Sequence, residues 1–272
     1  NISSLSLKAT NFVVISDLGV SARAIALGNT VGHGHSAESV FSNAAALVNT
    51  KTSSISIFTA ELMNEVKYLN ICLSAKTFAG RIGVGYYEQS VENIPDTEKD
   101  SDDDNFEIIQ VGSYDWKNSI VKLAYQTFLK RPFFKKSLFS HPNSGLSMAL
   151  SYSCFQINFA DYSGTGQNLD FGLLAKFKRM DWSMNFQNIL FNEHIIYSND
   201  QLELLPFAMT ITSIIPIKDF KLIPQYKTTK NKHLYSQGLS YQPGFLPFIT
   251  LMAGYKQQLD YTSEMHQKYT TN

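Results

Sequence analysis

The residues of this 272-residue chain best suited to chemistry cluster in Gly28-Asn29-Thr30-Val31-Gly32-His33-Gly34-His35, where two imidazoles stand one residue apart among glycines. A His-x-His pair is a partial zinc or transition-metal site, but such sites take three or four protein ligands, and only Glu38 sits close enough in sequence to help. The pair therefore reads as part of a flexible loop, and no metal or cofactor is expected. A second concentration holds Asp96, Glu98, Asp100, Asp102, Asp103 and Asp104. Clustered carboxylates suit calcium, but this run lacks the central glycine and terminal glutamate of a calcium loop, so it reads as a solvated loop. A third sets Arg131, Lys135 and Lys136 among Phe133, Phe134 and Phe139. Two readings stay open for it: a grip on an anionic lipid headgroup or protein partner, or an interfacial belt with snorkelling basic side chains. Neither a Gly-x-Ser-x-Gly elbow, a His-Glu-x-x-His pair nor a phosphate-binding loop occurs, and no enzyme is expected.

The elements that must carry these residues follow from alternation. Leu146, Met148, Leu150 and Tyr152 alternate with Ser147, Ala149, Ser151 and Ser153; Leu169, Phe171, Leu173 and Ala175 alternate with Asp170, Gly172, Leu174 and Lys176. Period two means strands with one greasy and one small or polar face. Between these two strands, Asp161 to Gly166 reads as a tight glycine-rich turn. The same period recurs through Ile55–Thr59, Leu69–Ala75, Ile82–Tyr86, Val121–Tyr125, Trp182–Phe186, Phe207–Ile211 and Ile249–Tyr255, for roughly a dozen strands in all. Residues 1–50 differ: Ser21–Leu27 and Ala37–Leu47 are alanine-rich and read as short helices flanking the glycine loop.

The polar face separates two kinds of β-protein. A soluble sandwich usually carries many Lys and Glu outside, whereas here the face opposite the apolar one is mostly Gly, Ser, Ala, Thr, Asn and Gln. Only 17% of the residues are charged and 13% are aromatic, a mix that suits a barrel with a polar lumen and an apolar exterior. No apolar run approaches the ~20 residues of a membrane-spanning helix, which leaves membrane barrels untouched. Net charge is +0, which gives nucleic acid no electrostatic footprint. Cys72 and Cys154 lie inside alternating segments and read as unpaired small side chains, although a cross-strand disulfide stays open.

Two groups of residues now resemble one family. Ala22-Arg23-Ala24, Leu27-Gly28 and Asn43-Ala44-Ala45-Ala46-Leu47 are similar to the opening of FadL-like outer-membrane barrels, a group that includes the PorV and PorQ proteins of the type IX secretion system. Asp161 to Gly166, Asp170 to Leu174 and Gln187-Asn188-Ile189 resemble the middle of uncharacterised members. The resemblance runs from about Phe12 to Asn188, with Ala44 where the family has proline. It implies an all-β, antiparallel transmembrane β-barrel of about 12–14 strands in a bacterial outer membrane. Residues 1–50 would fold into the lumen as a plug and residues 51–272 would form the wall, with closing strands expected past Asn272 or a different closure. Arg23, Gly28, Asn43, Asp170, Lys176 and Asn185 are then expected at the plug–lumen contact, with Asp170 the candidate carboxylate for Arg23. Arg131, Phe133, Phe134, Lys135 and Lys136 are expected at the rim toward lipid or partner, and both long loops on the outer side. The implied function is a subunit of a protein-secretion or surface-attachment complex, meeting other subunits or exported proteins; the alternative is transport of long-chain fatty acids or other hydrophobic compounds.

Overall fold

A computed structural model describes residues 19–62, 64–99, 108–130, 145–177, 179–229, 232–246 and 248–260. The N-terminal part forms helix α1 (Ala22–Ala26), helix α2 (Ser39–Ser42) and a 3-10 segment (Ala44–Asn49). The rest is strand: β1 (Ser53–Leu62), β2 (Val66–Lys76), β3 (Arg81–Lys99), β4 (Ile108–Lys130), β5 (Gly145–Phe159), β6 (Tyr162–Lys176) and β7 (Asp181–Gln187) come first. They are followed by β8 (His194–Tyr197), β9 (Leu202–Leu204), β10 (Ala208–Ile217), β11 (Phe220–Thr229), β12 (Lys232–Tyr241) and β13 (Leu251–Asp260). All pairings are antiparallel, as a meander of sequential hairpins requires. The path runs β1 through β7 and then β10 through β13, while β8 pairs β6 and β9. The chain is therefore all-β around a small helical insert. The sheet is not closed: among the described residues β1 and β13 are the free ends of its main path, and the short β9 pairs only with β8.

β8 extends β7 along the same edge of β6, and β9 follows on the line of β10, so the thirteen strands behave as eleven. The break is held by Asn188, which adopts φ +55°, a conformation asparagine tolerates better than most residues. Its backbone N–H donates to Asp170 Oδ1 at 2.9 Å and its side chain donates to the Pro206 carbonyl at 2.9 Å.

Three expectations change in detail. The turn between β5 and β6 is Ala160-Asp161, with Ala160 at φ +50°, and Gly164 and Gly166 belong to β6. They are glycine because Ile195 and Tyr197 of β8 press on them, at 2.9 and 2.8 Å from a Cβ built on Gly164. The acidic run begins inside a strand, since Ile94 to Lys99 pair with Tyr114 to Ile108 after a register shift past Asn93. The two long connections, 100–107 and 131–144, also cannot share a side: they join opposite ends of β4. The acidic residues from Asp100 and the basic cluster itself (Arg131, Phe133, Phe134, Lys135, Lys136) lie outside the described residues.

Burial runs opposite to that of an ordinary soluble sheet. Toward residues 19–50 point Asn70, Ser74, Asn118, Lys122, Gln126, Ser151, Asn168, Asp170, Asn185, Thr212 and Gln225, all buried. Away from them point Ile55 at 69% exposure, Leu123 at 55% and Leu150 at 49%. One register row on that outer face reads Ile55, Leu73, Val84, Leu123, Tyr152, Leu169. Two rows further along, it has become Thr59, Leu69, Glu88, Ser119, Gln156, Thr165. The apolar exterior is thus a band with a polar margin. A groove of about 670 Å³ opens at this margin, lined by Tyr86, Val121 and Cys154 on the apolar side and by Lys117, Gln156 and His194 on the polar side.

Candidate functional site

Residues 19–50 meet strands across the whole width of the sheet, from β1 to β13. Ser54 of β1 accepts from the Ala37 N–H at 3.1 Å, and Asn70 of β2 donates to the Val20 carbonyl at 2.6 Å. Ser147 of β5, itself held by Gln126 of β4, donates to the Ala45 carbonyl at 2.7 Å. Asn185 of β7 donates to the Ser42 carbonyl at 2.8 Å. Gln225 of β11 accepts from the Val31 N–H at 2.7 Å and from Thr212 of β10 at 3.0 Å, and donates to the Asn29 carbonyl at 3.2 Å. Elsewhere glycines let backbone or side chains of this segment approach the sheet closely. A Cβ on Gly85 would meet Phe41 at 2.4 Å, one on Gly172 would meet Asn43 at 2.2 Å, and one on Gly254 would meet the Gly28 nitrogen at 2.0 Å. A segment of about thirty residues reaches all these strands only because the sheet curls around it.

Asn43 anchors the centre. Its side-chain oxygen caps the 3-10 segment by accepting from the Ala45 N–H at 3.0 Å, the usual work of an N-cap asparagine. Its amide donates to Ser183 Oγ at 2.8 Å and to the Met184 carbonyl at 3.0 Å. The turn that a proline at position 44 would have preset is thus fixed by capping, with Asn43 in extended geometry at φ −153°. Gly28 stands at φ +68° with β13 against it; a Cβ there would lie 2.7 Å from the Tyr255 carbonyl oxygen.

The buried charge pair differs from expectation. Asp170 pairs with Lys122 of β4, not with Arg23, and both side chains are under one-tenth exposed. The two residues lie on either side of β5, where Ser151 and Ser153 are small enough for the lysine to cross. The Lys122 ammonium also sits 5.7 Å from the centre of the Phe41 ring, so the pair touches the enclosed segment.

Arg23 instead lines a cavity of about 170 Å³ at the end of the sheet where β6 turns into β7, together with His33, His35, Lys176, Asp181 and Lys221. His33 is 8% exposed. Its Nε2 donates to the Thr30 carbonyl at 2.8 Å, which fixes the proton on that nitrogen when the ring is neutral. Burial, then the positive charge of Arg23, push His33 down to about 4, so it is neutral at pH 7. Burial, then Arg23, Lys221 and Lys176, push His35 down to about 4 as well, although part of its ring reaches solvent. The glycine loop is accordingly a packed segment. Among the described residues no three His, Cys, Asp or Glu side chains gather as a metal site. Cys72, buried inside, and Cys154, exposed outside, are both free thiols.

Of the residues that sequence reading assigned to a plug and lumen, Arg23, Gly28 and Asn43 belong to residues 19–50, and Asp170, Lys176 and Asn185 sit on the sheet face turned toward them. That reading missed Lys122, Gln225, Asp181 and Lys221. Lys122 carried a legible signal, a lysine on the polar side of Val121-Leu123-Tyr125. No family model, curated protein or solved structure matches this chain.

Proposed function

We propose that the chain is an outer-membrane β-barrel subunit whose N-terminal residues close its lumen, and that it serves a protein-secretion or surface-attachment complex as a docking wall. The observation that carries the reading is the inverted burial: large apolar side chains exposed outside, buried polar side chains inside. That is the pattern of transmembrane barrels, whose apolar face meets lipid. β1, β2, β10, β11, β12 and β13 are 10 or 11 residues long, the length of a tilted strand that crosses a bilayer. In a bilayer every backbone group needs a partner, so this reading requires the β1–β13 seam to be filled there.

The interior favours docking over passage. Its wall is Asn, Ser, Thr and Gln, and the enclosed segment is hydrogen-bonded to it at many points, which suits a fixed stopper better than a route for a hydrophobic solute. One observation favours the alternative of hydrophobic transport: Val20, Phe41, Tyr68, Tyr87, Ile120, Phe155, Ile195 and Leu205 form an apolar cluster within the wall. A shift of residues 20 and 41 would uncover it.

The two readings separate in native membranes solubilised in mild detergent. A docking subunit migrates as part of a larger complex, shifts to its own size when residues 133–140 are deleted, and takes up no labelled oleate. Migration alone together with saturable oleate binding, weakened by Phe41→Asp, would overturn it in favour of transport.

A further inference from the structure

The cavity at the β6–β7 end has a composition that the docking reading does not use. Its charged lining is Arg23, Lys176 and Lys221 against one carboxylate, Asp181. Lys176 and Asp181 are register partners across the β6–β7 turn and offset each other. Arg23 and Lys221 are left as the excess charge. The Arg23 Nε is buried without a hydrogen-bond partner, and so is His33 Nδ1. Buried polar atoms are nearly always paired, so two orphans on the lining of one cavity mark a missing occupant.

The two orphans ask for opposite things. Arg23 Nε–H is a donor that seeks an anionic oxygen. His33 Nδ1 is an acceptor, because the ring proton sits on Nε2 facing the Thr30 carbonyl. We propose that this cavity binds a small oxyanion that carries a proton, of the hydrogen-phosphate type. Its charged oxygens meet Arg23 and Lys221, and its O–H donates to His33 Nδ1. A cavity of about 170 Å³ has room for such an ion with water. Arg23 and His33 lie within residues 19–50 and Lys221 borders the cavity at the end of β11, so the site stands whether or not the outer face meets lipid.

Equilibrium dialysis of labelled inorganic phosphate against the full chain in detergent at pH 7 tests it, with sulfate and acetate as competitors. One saturable phosphate per chain is expected, weakened about tenfold or more by Arg23→Gln and by Lys221→Gln, since each removes a charged hydrogen bond. Lys67→Gln, on the outer face, should leave it unchanged. Sulfate, which has no proton to donate, should compete about tenfold less well than phosphate. Lys221 is exposed at its strand end, so K221Q keeps the test valid where R23Q fails to fold. Binding that is absent, non-saturable, or insensitive to K221Q would overturn the site; equal competition by sulfate would overturn the role of His33. Neither result bears on the membrane reading, which stands or falls on insertion and co-migration.

Discussion

At the scale of single residues, the strongest dependence is between Lys122 and Asp170. Each is buried, so removing one partner leaves an uncompensated charge, whereas replacing both with apolar groups does not. Asp170→Asn should destabilise the chain by about 3–5 kcal/mol, and Lys122→Met combined with Asp170→Leu should cost clearly less than the sum of the two single changes. Urea unfolding of the four proteins of this cycle measures it; strict additivity would mean that the pair is not coupled. Asp170 does a second job by accepting from the Asn188 N–H, so part of its loss should appear as loosening where β7 gives way to β8.

At the scale of elements, the fit between helix α1 and strand β13 rests on two facing glycines. Gly28 and Gly254 approach so closely that a Cβ on Gly254 would sit 2.0 Å from the Gly28 nitrogen, which is backbone and cannot swing aside. Gly254→Val should therefore push the α1 end off β13 at a cost of about 1–3 kcal/mol, the usual penalty of overpacking. Trypsin cleavage after Arg23 should speed up. Gly112→Ala, whose Cβ would meet only Asp96 at 3.8 Å, should leave cleavage unchanged. The elements themselves were largely legible in sequence, because period two survives in every strand whose faces differ and because alanine-rich stretches flanked by glycine cannot imitate it. Two features were hidden for identifiable reasons. The outer half of β3 holds Pro95, Asp96 and Glu98, which read as loop; cross-strand pairing with the longer β4, as at Ile94 and Tyr114, overrides that local preference. The partner of Asp170 lies 48 residues away and a strand removed, a relation that periodicity along one strand cannot express. Asn43 was legible through its motif, yet its use as a hub for β6 and β7 appears only once those strands are adjacent.

At the scale of the whole molecule, the band on the outer face makes a graded prediction. Leu123 lies within it, and Gln156 lies two rows toward the polar margin. If the band sits in a bilayer, Leu123→Arg should weaken insertion into phospholipid vesicles by about 2–4 kcal/mol, the cost of a guanidinium near the midplane, and Gln156→Arg by less than about 1 kcal/mol. Flotation of the refolded variants with vesicles reads the difference. Equal behaviour of the two would remove the bilayer from the account while leaving the fold intact.

The great length of β3 and β4 has a consequence for reach. From Val121, in the last mainly apolar row, to Ile108 is thirteen residues, or roughly 40 Å of antiparallel strand. Screening in physiological salt acts over about 8 Å, so charges carried at the end of that ribbon are several screening lengths from the band. Asp96, exposed on β3, stands opposite Gly112 on this ribbon, nine residues or roughly 30 Å from Val121. A negative charge there acts on whatever approaches along the ribbon while salt screens it from the apolar band.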